Sequence, residues 1–166
     1  MKSKLNSLLV CLSLCGRVTG MNNNLIIRAF YSEDTDAVTA IYRHHVLTGT
    51  ATFEEQPPNT EEMFRRLSGL TKTGFPVLVA CTSDDEVTGF AYAGPYKARS
   101  AYRFTVEDSI YVGPDHKRKG IGRSLLMQLI SECRQREYKQ ILAVIGDSDN
   151  QGSIGLHSAC GFVHVG

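Results

Sequence analysis

The stretch His116-Lys117-Arg118-Lys119-Gly120-Ile121-Gly122-Arg123-Ser124 decides how this chain is read. Val106 to Val112, before it, reads as a strand, and Ile121 to Cys133, after it, carries apolar residues at helical spacing. Two glycines let the main chain pass close to a bulky partner with its N–H groups pointing outward. A helix start adds the positive end of a macrodipole, where phosphates bind readily. Lys117, Arg118, Lys119 and Arg123 set four cationic side chains around the same turn. A strand, a basic Gly-x-Gly turn and a helix together predict a pyrophosphate cradle. On local sequence alone, a basic surface loop with a glycine turn remains the alternative.

Two common phosphate motifs are excluded. No Gly-x-x-x-x-Gly-Lys-[Ser/Thr] is present, and the third glycine of a dinucleotide fingerprint is replaced by Leu125. No run of alternating strands and helices precedes the turn, as a Rossmann half requires.

At 166 residues the chain is most economically one domain. A net charge of +1 does not suggest a nucleic-acid partner, and the basic cluster is local. The five cysteines show no CxxC pair and no metal-ligand spacing with the five histidines, so no metal is expected. Reduced thiols point to a cytoplasmic protein. Lys2 and Lys4 precede the apolar run Leu8 to Cys15, which resembles a short secretory leader, but Val18-Thr19-Gly20 is a poor cleavage site. Residues 1–21 are therefore expected to be an unstructured leader or an upstream start read in error, with the domain spanning 22–166. No segment is long and apolar enough to suggest a membrane span.

Leu25 to Phe30 reads as a first strand. Ser32 is placed to cap a helix with the stripe Val38, Ile41, Tyr42 and Val46. Asn59 and Glu62 form a capping box for a second helix that buries Met63, Phe64 and Leu67. Pro76 to Cys81 and Val87 to Ala93 read as a hairpin, and Gly94 to Tyr102 as a loop. Gln140 to Ile145 is another strand. Asn150 caps a short helix ending at Gly161, and Phe162 to Val165 begins a last strand. The order implies a mixed α/β architecture, with the helix after the turn crossing between two parallel strands.

These residues resemble the GNAT superfamily of acyl-CoA-dependent N-acyltransferases. Gly120-Ile121-Gly122 fits its [Gln/Arg]-x-x-Gly-x-[Gly/Ala] signature, with Lys117 at the Gln/Arg position. Asn150, Ser153, His157 and Gly161-Phe162 match its Asn…Ala…Tyr…Gly-Phe pattern, with Ser for Ala and His for Tyr. Ala51-Thr52-Phe53-Glu54, Ala93 to Arg99, Thr105-Val106-Glu107 and Ala143 to Gly146 are similar to the phosphinothricin acetyltransferase branch. The resemblance implies the GNAT fold: a mostly antiparallel twisted sheet with a splayed parallel pair and flanking helices. It also implies acetyl-CoA as donor, a small amino acid as acceptor, no metal and a homodimer. Members of the branch continue roughly twenty residues past the point matching Gly166, enough for one more strand. A sheet without that strand is expected to have an unpaired edge.

The resemblance places main-chain groups of Ile110, Tyr111 and Val112 on the pantetheine arm. Asn150 and Ser153 join them, and the diphosphate lies on Lys117 to Ser124. Glu107 is the candidate base, in a strand otherwise of apolar and small residues; the alternative is a solvent-facing glutamate. Asp108 points to the opposite face and reads as structural. His157 stands where relatives place a tyrosine that protonates the leaving thiolate, although a lone histidine on a short helix is often structural. Lys97, Arg99, Tyr102 and Arg103 are candidates for the acceptor's anionic groups. Phe53 and Glu54 are implied as the opposite wall. The expected activity is acetylation of the α-amine of phosphinothricin, methionine sulfone or methionine sulfoximine. The alternatives are an inactive CoA-binding protein, and an acetyltransferase for a polyamine or a protein N-terminus.

Overall fold

The fold is set by apolar runs of two kinds, continuous in the strands that lie inside the sheet and periodic in the helices that cover it. The computed structural model describes residues 8–13, 25–49, 52–146 and 149–166. In chain order the elements are β1 (Leu8–Ser13), β2 (Ile26–Ala29), α1 (Thr35–Thr48), α2 (Thr60–Lys72), β3 (Val77–Cys81) and β4 (Val87–Pro95). They continue with β5 (Thr105–Val112), α3 (Ile121–Gln135), β6 (Gln140–Ile145), α4 (Gln151–Ala159) and β7 (Val163–His164). The strands form one sheet in the order β2-β3-β4-β5-β6-β1-β7. All neighbours are antiparallel except β5 and β6, which the α3 crossover makes parallel, as expected.

Helices cover both faces. Leu125, Leu126, Leu129, Ile130 and Cys133 of α3 pack on Val106 and Ile141, which bears out the predicted stripe. On the other face Val38, Tyr42 and Val46 of α1 and Leu67 of α2 meet Val79, Phe90 and Tyr111. Gly89 lets β4 pass close to β5, since a Cβ there would sit 2.9 Å from the Tyr111 carbonyl oxygen.

The parallel ladder is short. β5 pairs with β6 only over Thr105↔Gln140, Val106↔Ile141 and Glu107↔Leu142, while its other edge pairs with β4 from Val106 to Val112. Beyond Glu107 the two strands part and open a cleft between them.

Four expectations need correction. Leu8–Ser13, read as part of a leader, is a strand between β6 and β7, because its alternate side chains Val10 and Leu12 enter the core. The rest of the expected leader lies outside the described residues. β1 thereby pairs with the edge of β6 that faces away from β5. Ser32 does not cap α1. Ser32–Asp34 form a 3-10 turn, and buried Asp34 accepts the Tyr31 N–H at 2.8 Å while Arg28 holds its carboxylate at 2.7 and 2.9 Å. Phe64 is exposed, because the buried face of α2 is narrow and is filled by Met63 and Leu67. Asn59 does cap α2 through Glu62 N–H at 2.8 Å, but the Glu62 carboxylate turns to Arg65 and Arg66.

Candidate active site

The parting of β5 and β6 makes a cleft of about 860 Å³. One wall is β5 from Glu107 to Val112, the other is Ala143 to Gly146 with Asn150 and Ser153, and the basic turn closes one end. Over Asp108 to Val112 the β5 edge facing β6 makes no ladder bonds, so main-chain groups of Ile110, Tyr111 and Val112 line an open strand edge. An extended amide-bearing chain can pair there as a further strand would.

The turn has the backbone its sequence asks for. Gly120 is the N-cap of α3 at φ 82°, in the left-handed region, and Arg118 adopts φ 63°. No side chain among the described residues caps α3, and its first turn carries no acidic residue. The first intrahelical bond runs from Ser124 N–H to Gly120 O at 3.0 Å, so the amides of Ile121, Gly122 and Arg123 precede the helical ladder. Lys117, Arg118, Gly120, Ile121, Gly122 and Arg123 all line the cleft. Oriented N–H donors, a helix dipole and cationic side chains suit the diphosphate of a coenzyme. Lys119 and Ser124 are not among the lining residues.

Across the cleft Asn150 caps α4 by accepting Ser153 N–H at 3.1 Å. That cap uses only the carbonyl oxygen of its amide. Four residues on from Ser153, His157 is buried with both ring nitrogens engaged, Nδ1 by Ser153 O at 2.8 Å and Nε2 by Asp108 Oδ2 at 3.0 Å. Phe162 packs against the ring edge-on at 4.9 Å. The Ser153 carbonyl and the Asp108 carboxylate are acceptors, an arrangement that favours the doubly protonated ring, and the Ser153 hydroxyl lies 3.3 Å from Nδ1. Burial opposes the charge, but the Asp108 carboxylate and the Ser153 carbonyl outweigh it and raise the imidazole pKa. Asp108 Oδ1 is buried with no hydrogen-bond partner among the described residues.

Glu107 is half-buried on the other face of β5 and lines the cleft. Burial first, then the Asp108 charge, lifts its carboxyl above the ordinary range. Phe53 and Glu54 line the same cleft. Glu54 is held by Tyr42 at 2.9 Å and Arg66 at 2.6 Å, and Tyr42 also meets Thr52 at 3.0 Å. Lys97, Arg99, Tyr102 and Arg103 do not line the cleft. Lys97 lies over the rings of Tyr96 and Tyr102, and Arg103 over Phe104.

Sequence reasoning missed His45, Tyr42, Thr52, Tyr92 and the role of Asp108, all of which line the cleft. His45 Nε2 donates to Val112 O at 2.9 Å, and burial lowers its pKa and keeps it neutral. The α1 stripe marked Tyr42 only as core, and nothing local links Asp108 to a residue forty-nine positions later.

The family profile described as acetyltransferase (GNAT) family matches residues 38–162. The chain belongs to the GNAT acetyltransferase family. It is 50% identical over 140 residues to a phosphinothricin N-acetyltransferase of Alcaligenes faecalis, covering 84% of this chain and 71% of that protein. It is 37% identical over 138 residues to an L-methionine sulfoximine/L-methionine sulfone acetyltransferase of Salmonella typhimurium, covering 83% and 80%. A crystal structure of a phosphinothricin acetyltransferase from Sinorhizobium meliloti in complex with acetyl-CoA superposes with a TM-score of 0.84. It is 43% identical and covers 87% of this chain and 77% of that one. Within this GNAT domain no helix among the described residues is long and apolar enough to cross a membrane.

Proposed function

We propose that this GNAT domain transfers the acetyl group of acetyl-CoA to the α-amino group of a small amino acid, with phosphinothricin, methionine sulfone and methionine sulfoximine as the leading acceptors. The observation that carries the reading is the cleft itself. Uncapped amides at Ile121–Arg123 stand at one end, an open β5 edge runs along it, and a half-buried carboxyl, Glu107, lies on its wall. The relatives named above support the choice of acceptor.

Bound acetyl-CoA supplies an activated thioester carbonyl. Lys117, Arg118 and the amides of Gly120 to Arg123 hold its diphosphate, with Lys119 and Ser124 adding positive charge and a hydroxyl nearby. Ile110, Tyr111 and Val112 pair with the amide-bearing arm, and Asn150 and Ser153 bind it from the α4 side. Glu107 takes a proton from the acceptor's ammonium group, directly or through water, and so frees the amine to attack. A main-chain N–H at the end of β5 donates to the carbonyl oxygen as it gains charge. The departing thiolate takes a proton from the Ser153 hydroxyl, which recovers one from His157 Nδ1, 3.3 Å away. The imidazole is left neutral, with its Nε2–H still donated to Asp108 Oδ2, and the second proton, which the nitrogen sheds as the amide forms, returns through water to recharge it.

Phe53 and Glu54 form the acceptor's wall. Lys97, Arg99, Tyr102 and Arg103 act on the acceptor only if their loop reaches the cleft from another copy of the chain, which agrees with a homodimer. Cys11, Cys81, Cys133 and Cys160 are free thiols, in keeping with the cytoplasm. Thiol release from acetyl-CoA, measured against a panel of amino acids, polyamines and peptides, tests the reading. Turnover with methionine sulfone or phosphinothricin is expected. Acetyl-CoA binding without release for any acceptor would instead identify an inactive coenzyme-binding protein.

A further inference from the structure

β6 and β7 do not touch each other in the sheet; a strand from the far end of the sequence lies between them. β1 pairs antiparallel with the whole of β6, from Leu8↔Ile145 to Ser13↔Gln140. Its other edge pairs with β7 at Val10↔His164 and Cys11↔Val163. That ladder is extended by Leu9 N–H to Gly166 O at 2.6 Å and Val165 N–H to Leu9 O at 2.9 Å. Among the described strands, β1 is the sole sheet partner of β7.

The side chains fit as well as the main chain. Val10 and Leu12 are 3% and 9% exposed and belong to the cluster that holds Leu126, Ile141 and Phe162. Leu12 also packs against the turn after α4, with its Cδ1 3.5 Å from the position a Cβ on Gly161 would take. Buried Val10 and Leu12 alternate with half-buried Leu9 and Cys11, so the run supplies an aliphatic side chain at each position that faces the core. The composition that resembles a secretory h-region is thus also the composition this slot requires. The slot has a functional neighbour, because β6 carries Ala143, Val144 and Ile145 of the cofactor cleft.

We propose that the gap between β6 and β7 is a strand-binding groove and that residues 8–13 of the same chain are its occupant, making this apolar run a working strand of the domain. The groove selects an extended segment with aliphatic side chains at alternate positions and free main-chain donors and acceptors on both edges. Filling it removes two open sheet edges, which otherwise invite pairing with other chains.

Two measurements test the proposal. The first compares the full chain with one that starts at Met21. The shortened chain is expected to yield no soluble folded product, or to melt at least about 10 °C lower. An unchanged midpoint overturns the proposal. The second keeps the chain whole and reads proximity directly. Val163→Cys is introduced opposite Cys11, with Cys15→Ser to remove a competing thiol. Paired antiparallel Cα atoms lie about 4.5–5.5 Å apart, within reach of a disulfide. Diamide is then added; it accepts two electrons and two protons and becomes the hydrazine as the two thiols become a disulfide. A disulfide within one chain, joining Cys11 to the thiol introduced in place of Val163, supports the proposal. A link between two chains would make a second copy the occupant, and absence of a link in a folded sample would leave the groove without this strand; either result overturns it.

Discussion

Asp108 Oδ2 and His157 Nε2 meet at 3.0 Å just past the point where β5 and β6 part. The last ladder pair is Glu107↔Leu142, and the next residue on β5 sends its carboxylate to α4 instead. A side-chain bond thus takes over where the main-chain ladder ends. It fixes the spacing of the cleft's two walls and places a charge pair one residue from the candidate base. Asp108 acts here as a positioning residue, through His157.

Asp108→Asn is expected to lower the His157 pKa, since the partner's negative charge is lost while the shape is kept. The groups around this pair are Glu107 on the same strand, Cys133 on α3, and Cys160 with its neighbour Arg123. NMR titration of the His157 ring reads the change, and the alkaline limb of kcat should move to lower pH with KM little altered. The native pair, with a raised histidine pKa, contributes stability that is complete below the ordinary value of 6.5 and is lost as pH rises through the raised value. The variant should lose about 2 kcal/mol of stability near pH 6. A His157 titration identical to the parent's would remove Asp108 from this role.

Gly120→Asp should weaken acetyl-CoA binding by about 100-fold in calorimetry. The residue sits at φ 82°, which costs a side chain about 1 kcal/mol or more, and the new carboxylate would face the diphosphate. Unchanged affinity would sink the cradle assignment.

Glu107→Gln tests the base. The parent's kcat/KM should fall on the acid side through a pKa above the ordinary glutamate range, because only the ionised carboxylate accepts a proton. In the variant that limb should vanish and the plateau drop by about 100-fold. Retention of both plateau and limb would assign the proton transfer elsewhere.

Asp34→Ala probes the fold alone. Burial works against the Asp34 charge, but Arg28 and the Tyr31 amide prevail and hold its carboxyl below the ordinary range. Its contribution to stability is therefore present above the ordinary value of 3.8 and is lost as pH falls through the depressed one. Removing it leaves the Tyr31 amide unpaired and Arg28 with only exposed Asp85 and the Ala29 carbonyl, at a cost of about 3 kcal/mol in denaturant unfolding at pH 7. Acetyl-CoA affinity at temperatures well below the midpoint should stay at the parent's value.

Much of this molecule is local in origin. Gly120 at a left-handed position, Asn59 and Asn150 as caps, and the α3 stripe from Ile121 to Cys133 are each decided by residues within one or two turns. All were visible as pattern. The misreadings share one cause. Leu8–Ser13 is too short and too uniformly apolar for periodicity to tell a leader from an inner strand, and only the groove between β6 and β7 decides. Lys97 and Arg103 carry the charge an acceptor site needs, and the fold sets them over aromatic rings outside the lining of the cleft.

By itself, then, the sequence determined the glycine turn at the start of α3, the order of strands and helices from β2 onward, and the family, because backbone conformation and amphipathic spacing are short-range properties. Tertiary structure decided what depends on contacts across long loops. It brought Asp108 to His157, His45 to the Val112 carbonyl and β1 to β6, pairings whose energy comes from burial and desolvation that no local window contains.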